Sequence, residues 1–313
     1  MGKIIAVGEI LIDLTQIGQN EAGIPLYAAN PGGAPANLAV AAARLGADAA
    51  FVGKVGADAY GSFLRETLRA QGVDVSALRT EPDAPTTLAV VSVDAGGERS
   101  FSFYRRGSAD TLLAPEEIDE TLLDGASILH FGSVSLTAEP ARSATLKAAR
   151  LAKAAGLTVT YDPNYRANLW PDAQTAIERM CEPLPLADIL KVSDEELPLL
   201  TGTDDLAQGT QMLADMGIRL VVVTLGADGA FYRFGGSTGM LPGVRCTVAD
   251  TNGAGDTFFG ALLSRLSARE HPLDTLTVPE LEAAVRFANR AASLTTSRHG
   301  AIPAMPSLAE MDA

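Results

Sequence analysis

Cysteine and histidine are scarce in this chain of 313 residues, which holds only Cys181, Cys246, His130, His271 and His299. Two distant cysteines imply no disulfide framework. With three histidines at these separations they build none of the usual zinc spacings, so each histidine reads as structural or exposed. Positive charge is scarce as well: 24 Lys and Arg against 38 Asp and Glu leave a net charge of −14. That balance argues against nucleic acid or anionic lipid as a partner, and any polyanionic substrate must be held by local basic residues or a metal. Apolar residues make up 47% of the chain, ample for a core, yet no apolar run is long enough to span a membrane. Met1 to Gly8 enters a strand-like run without a signal-peptide cleavage site, and Ala6 stands where a myristoylation motif on Gly2 wants Ser or Thr. A cytoplasmic protein is expected. A Walker A loop is missing too, since Lys54 follows Gly53 without the upstream glycine or the Ser/Thr, and there is no dinucleotide fingerprint.

What is present centres on Asp250-Thr251-Asn252-Gly253-Ala254-Gly255-Asp256. Arg245 to Ala249 reads as a short strand before it. Phe258, Phe259, Leu262, Leu263 and Leu266 after it fall on one face of a helix. Gly253-Ala254-Gly255 is then a small-residue turn opening a helix, where free amides and the dipole make an anion site. A carboxylate in that first turn, Asp256, is acceptor-only when ionised and can take a proton from an alcohol. An anion cradle beside a base is what phosphoryl transfer to a hydroxyl requires. The plainer reading is a strand-to-helix turn with an Asp N-cap. A second constellation is Gly32-Gly33-Ala34-Pro35-Ala36-Asn37, where adjacent glycines let backbone approach a ligand and Asn37 offers donor and acceptor. Asp13, ending the first strand, can accept from two neighbouring hydroxyls; its plainer role is to cap a turn, and that of Asn37 to cap a helix.

Along the chain, strand patterns at Ile4–Val7, Ala50–Gly53, Ile128–Phe131, Thr158–Tyr161, Ile189–Val192 and Leu220–Thr224 alternate with helical ones. The helices are expected at 38–45, 61–70, 141–155, 195–200, 206–216 and 281–295. This alternation predicts an α/β fold, a mostly parallel central sheet with helices on both faces. Thr87–Val93 and Ser100–Tyr104, joined by Asp94-Ala95-Gly96-Gly97, break the rhythm as a hairpin that projects from the sheet. No linker or repeat divides the chain, so one domain over residues 1–313 is expected.

Gly32-Gly33, Asn37, Ala39, Gly46 and Gly56, together with Asp250-Thr251, the Gly-Ala-Gly-Asp run and Gly260-Ala261-Leu262-Leu263, resemble the two signatures of the ribokinase-like, phosphofructokinase-B-type sugar kinases. The resemblance runs from Lys3 to Pro306. Phe103-Tyr104-Arg105, Ser108 to Leu113, His130 to Ser133 and Tyr161 to Trp170 are similar to fructokinase segments. The last run is shared with 2-keto-3-deoxygluconate kinases, which usually carry Tyr-Tyr-Arg where this chain has Phe103-Tyr104-Arg105. The resemblance implies a three-layer ribokinase-like fold with a small β lid from about residues 12–30 and 86–105. It implies ATP-dependent phosphorylation of fructose to fructose 6-phosphate, with 2-keto-3-deoxygluconate as the rival substrate and a non-catalytic sugar-binding homologue as the rival class.

Under that resemblance Asp256 is the base and Gly253, Ala254 and Gly255 are the amide cradle. Asp13, Gly33, Asn37, Arg105 and Arg166 are sugar ligands, the arginines being planar forks for phosphate or hydroxyls. Asn164 and Lys191 lie near the phosphates, Thr224, Gly226 and Gly229 belong to the nucleotide loop, and Asn289 stands near adenine. Glu196 orients magnesium and its waters, with Ser193 in place of the family's Asn. Asp250 and Asn252 belong to a monovalent-cation site for potassium, with carbonyls from 296–301 and Ala304 where the family has Ser. ATP, Mg2+ and K+ are the implied cofactors, and a homodimer through the lid the implied assembly.

Overall fold

Strands that turn apolar side chains to both faces need cover on both sides, and that requirement sets the architecture. The computed structural model describes residues 2–93, 99–269 and 271–311. The chain begins β1 (Lys3–Val7), β2 (Leu11–Gln19), β3 (Pro25–Gly32), α1 (Ala34–Arg44), β4 (Ala49–Gly56), α2 (Ala59–Ala70), β5 (Val73–Asp74) and β6 (Leu78–Glu81). It continues β7 (Leu88–Val93), β8 (Arg99–Tyr104), β9 (Ala126–Gly132), α3 (Ala141–Ala154), β10 (Thr158–Asp162), α4 (Ala173–Cys181) and β11 (Ile189–Ser193). The remainder is α5 (Glu196–Thr201), α6 (Leu206–Asp215), β12 (Leu220–Thr224), β13 (Ala230–Phe234), β14 (Ser237–Leu241), α7 (Ala254–Leu266), α8 (Val278–Thr296) and α9 (Leu308–Met311).

The large sheet has the order β14-β13-β12-β11-β10-β9-β1-β4-β5, with β6 also on β4. It is parallel from β12 through β5 and antiparallel only at β13 and β14. Neighbours in sequence go to opposite faces. Ile5, Leu129, Val159, Leu190 and Val221 join α3, α4 and α6 in one buried cluster, whereas Ile4, Ile128, Ile189, Leu220 and Val222 join α1, α7 and α8 in another. This is the three-layer α/β fold. A separate four-stranded sheet, β3-β2-β7-β8, stands beside it as a small lid. Its surface exposes Ile17, Ile24, Leu26, Tyr27 and Tyr104. The turn Asp94-Ala95-Gly96-Gly97 lies outside the described residues, but the strands flanking it pair antiparallel, Leu88 opposite Tyr104.

One helix contact governs the site. A Cβ on Gly260 would stand 2.7 Å from the Leu38 carbonyl oxygen and 2.8 Å from the Ala41 Cβ, so only glycine lets α7 lie this close on α1. Phe258, Phe259, Leu262 and Leu263 beside it are buried, each contributing roughly 1.5–3 kcal/mol by transfer from water. This packing clamps the first turns of both helices against each other.

The structure corrects one expected element. Arg245 to Ala249 is extended but pairs with no strand among the described residues, and Val248 is 65% exposed. Its polar–apolar alternation, Arg245-Cys246-Thr247-Val248, imitates a strand, but Arg245, Cys246 and Val248 line a cavity instead of a sheet edge. No described helix is long and apolar enough to cross a membrane.

Candidate active site

Helix α7 begins at Gly253, whose φ of 73° is left-handed and whose added Cβ would stand 2.8 Å from that of Ala301. No side chain caps this N-terminus, so the Asp N-cap reading does not hold; the Ala254 amide donates to the Thr251 carbonyl at 3.3 Å, and the Gly255 amide stands at the open helix start, where such groups serve a ligand. Asp256 sits inside the turn, buried. Its carboxylate accepts from Asn37 Nδ2 at 2.8 Å and from Asn164 Nδ2 at 3.3 Å. Burial pushes its pKa up to about 6, with Asp162 adding to the rise and Asn37, Lys191 and Arg166 opposing it. A carboxyl group tuned near the working pH is chemically able to accept a proton from a hydroxyl.

Two cavities flank this turn. The smaller, about 50 Å³, is lined by Glu9, Asp13, Gly33, Asn37, Phe103, Asn164, Arg166, Asn252 and Asp256 among others. It gathers residues from the ends of β1 and β10, from the lid strands and from both clamped helices, at the carboxyl edge of the parallel strands where ligands of open sheets bind. Asn37 Oδ1 is buried without a hydrogen-bond partner. Asp13 is buried, bonded to the Asn252 side chain, and pushed up to about 6 by burial against the pull of that bond and of Arg166. Arg166 is exposed at the rim, its Nη1 on the Tyr165 carbonyl at 3.0 Å. Asn164 holds φ at 48°, unusual outside glycine, with its amide on Asp162 Oδ1.

The larger cavity, about 530 Å³, is lined by Thr224, Gly226, Gly229, Cys246, Val248, Thr251, Ala254, Gly255, Phe258 and Asn289 among others. Asn289 donates to the Leu241 and Pro242 carbonyls, fixing that wall. Beneath the cradle, Lys191 Nζ lies 2.9 Å from Asp162 Oδ2, both side chains buried. The ammonium stands 3.1 Å from where a Cβ on Gly255 would be. Burial works against its charge, but Asp162 and Glu196 outweigh it and raise the lysine above its ordinary value. His130, deeper still, is pushed down to about 3 by burial and by Lys191, and is neutral.

The expected metal residues are spoken for. Glu196 accepts from Tyr165 N at 2.7 Å through Oε1 and from Ser193 N at 2.8 Å through Oε2. Ser193 Oγ accepts in turn from Glu196 N, so the serine in place of Asn closes a capping box. Glu196 is thus a clamp holding the Asn164–Arg166 loop. Among the described residues no group of three or more His, Cys, Asp or Glu could hold a metal. Asp250 accepts from Asn252 N and Gly300 N, which ties 296–301 to the back of the cradle.

Arg105 departs from the expected set. It does not line the small cavity; its Nε lies 2.7 Å from Asp110 Oδ2, and Nη1 donates to Thr137. Thr87, at the root of β7, also donates to Asp110. The arginine thus pins the base of the lid. The sequence reading passed over Asp162 and Glu9. Asp162 had a visible signal, an acid ending a buried strand two residues before Asn164; Glu9 had only its place after β1.

A family model described as pfkB family carbohydrate kinase matches residues 1–308. The chain is 43% identical over 311 residues to fructokinase-1 of Oryza sativa subsp. japonica, covering 98% of this chain and 96% of that one. Its fold matches a double mutant of fructokinase from Vibrio cholerae O395 in fructose-, ADP- and potassium-bound form. There the TM-score is 0.90 and the identity 38%, across 100% of this chain and 97% of that one. Fructokinase from Xylella fastidiosa with bound ATP matches with a TM-score of 0.89 and 34% identity, across 99% and 96%. By its family model and these relatives, the chain belongs to the pfkB family of carbohydrate kinases.

Proposed function

We propose that this kinase transfers the γ-phosphoryl group of ATP to fructose, giving fructose 6-phosphate and ADP. The observation that carries the reading is the meeting of two cavities at one helix start, a nucleotide-sized one against Gly255 and a small polar one against Asp256. ATP would lie along Thr224–Gly229 and Asn289 with its phosphates toward the Gly253–Gly255 amides, and fructose against Asp13, Gly33, Asn37 and Arg166. The primary hydroxyl attacks the γ-phosphorus as Asp256 takes its proton; the new oxygen–phosphorus bond forms while the bond to ADP breaks. Lys191 and the cradle amides stabilise charge on the phosphoryl oxygens. Magnesium arriving with ATP would neutralise phosphate charge, while Glu196 holds the Asn164–Arg166 loop in place. Closure of the lid over the sugar would exclude water and suppress ATP hydrolysis.

The cavity also speaks to the choice of sugar. Glu9, Asp13 and Asp256 bring carboxyl groups to its walls, against the single guanidinium of Arg166. Such a wall accepts hydroxyls and opposes a keto acid's carboxylate. In a coupled ADP-release assay over fructose, ribose, 2-keto-3-deoxygluconate and nucleosides, kcat/KM is expected to be highest for fructose, by about tenfold or more over the keto acid. Preference for the keto acid would overturn the fructose reading. Phe103 lines the cavity, so Phe103→Tyr, which restores a phenol donor, is expected to narrow the gap by about 2- to 10-fold.

We infer a potassium site beside the cradle, supported by the anchored Asp250 carboxylate and the 296–301 segment behind Gly253. Turnover is expected to be faster in potassium chloride than in a bulky organic cation at matched ionic strength. Equal rates would remove the site from the account.

A further inference from the structure

We propose that Glu9 is a further sugar-binding residue, its Oε2 pairing with a hydroxyl of the substrate in the small cavity. The inference rests on the reading that a sugar occupies that cavity, and it adds a contact that the signature residues do not supply. Glu9 follows β1 and is 3% exposed. Its two oxygens have different fates. Oε1 accepts from the Ala34 amide at 3.1 Å and so holds the glycine turn that opens α1. Oε2 is buried with no hydrogen-bond partner, while the residue lines the same cavity as Asp13, Asn37 and Asp256.

A buried carboxyl oxygen without a partner is costly, and such groups in folded proteins are paired as a rule. Asn37 Oδ1 is orphaned in the same way on the same cavity. Two orphaned acceptors on residues that line one small polar cavity describe a site that a polyhydroxyl ligand would complete. Arg105 and Asp110 both act on the Glu9 charge from the lid root; the Arg105 Nε and Nη1 go to Asp110 and Thr137, and its Nη2, like Oε2, is buried without a hydrogen-bond partner. Burial pushes the Glu9 carboxyl up to about 7. In neutral solution it therefore offers a hydroxyl either an acceptor or a donor, which suits a sugar better than a fixed charge does.

The test is Glu9→Gln, which keeps an oxygen for the Ala34 amide and replaces the unpaired one. The KM for fructose is expected to rise about tenfold, as for loss of one good hydrogen bond, with the KM for ATP and kcat little changed. A panel of deoxyfructoses, each lacking one non-reacting hydroxyl, locates the contact. Wild type should penalise one of them about tenfold, and that penalty should vanish in Glu9→Gln alone. A carboxyl that only holds the Ala34 turn predicts an unchanged KM for fructose, and equal penalties in both enzymes across the panel; either result overturns the proposal. Should the variant not fold, a crystal structure of the wild type with fructose decides: a sugar hydroxyl within about 3.2 Å of Oε2 supports the contact, and none within hydrogen-bond reach refutes it. No fructose turnover by the wild type sinks the fructose reading, whereas turnover without a Glu9-dependent hydroxyl sinks only this one.

Discussion

Asp256→Asn should fold as the wild type does and lose about 10²–10⁴-fold in kcat, the usual worth of a positioned general base. Asn has the same size and its one oxygen can still accept from Asn37 Nδ2, while its NH2 group replaces the oxygen that met Asn164; it cannot take the hydroxyl proton. The KM for ATP should change little, because Asp256 faces the small cavity while ATP would occupy the large one. The wild type should also carry the titration of this group. Its pKa is raised to about 6 in the free protein, so kcat/KM falls as pH drops through 6, where the folded enzyme protonates its own base. Near-native turnover in Asp256→Asn, or a kcat/KM flat from pH 5 to 7, would remove Asp256 from that role.

The second large effect belongs to Asp13, which stands at the root of the lid on β2, buried and bonded to Asn252. Asp13→Ala removes an ionisable acceptor from the sugar side only. The KM for sugar should rise about 10- to 100-fold, as for hydrogen bonds to a charged group, with the KM for ATP nearly constant. Equal loss of affinity for both substrates would make Asp13 a support of the lid instead of a ligand.

How much of this was legible in the sequence depended on whether a signal was local. The first turn of α7 was legible because apolar spacing, small residues and one acid fall within a few positions. The parallel sheet followed from alternating strand and helix patterns. Arg245–Ala249 misled because alternation shows that a segment is extended but not that it has a partner. Conversely, β13 and β14 pair across Gly235-Gly236 at a sheet edge, where half-exposed residues blur the pattern. Site roles depended on reach. Asn37 and Asp256, 219 positions apart, come together because Gly260 lets two helices touch. Arg105 shares its short segment with Asp110, and the shorter-range partner took the guanidinium. Glu9 bore no recognisable spacing at all. Its significance lies in one oxygen that has a partner and one that does not, a distinction no sequence pattern carries.

The central claim is that this site moves a phosphoryl group from ATP to the primary hydroxyl of fructose. Phosphorus NMR of the purified chain with fructose, ATP and magnesium follows that transfer directly. Fructose 6-phosphate and ADP should accumulate in equal amounts, and both should appear about 10²–10⁴-fold more slowly with Asp256→Asn. ADP with free phosphate in place of the sugar ester, or phosphate on a different hydroxyl, would contradict the account.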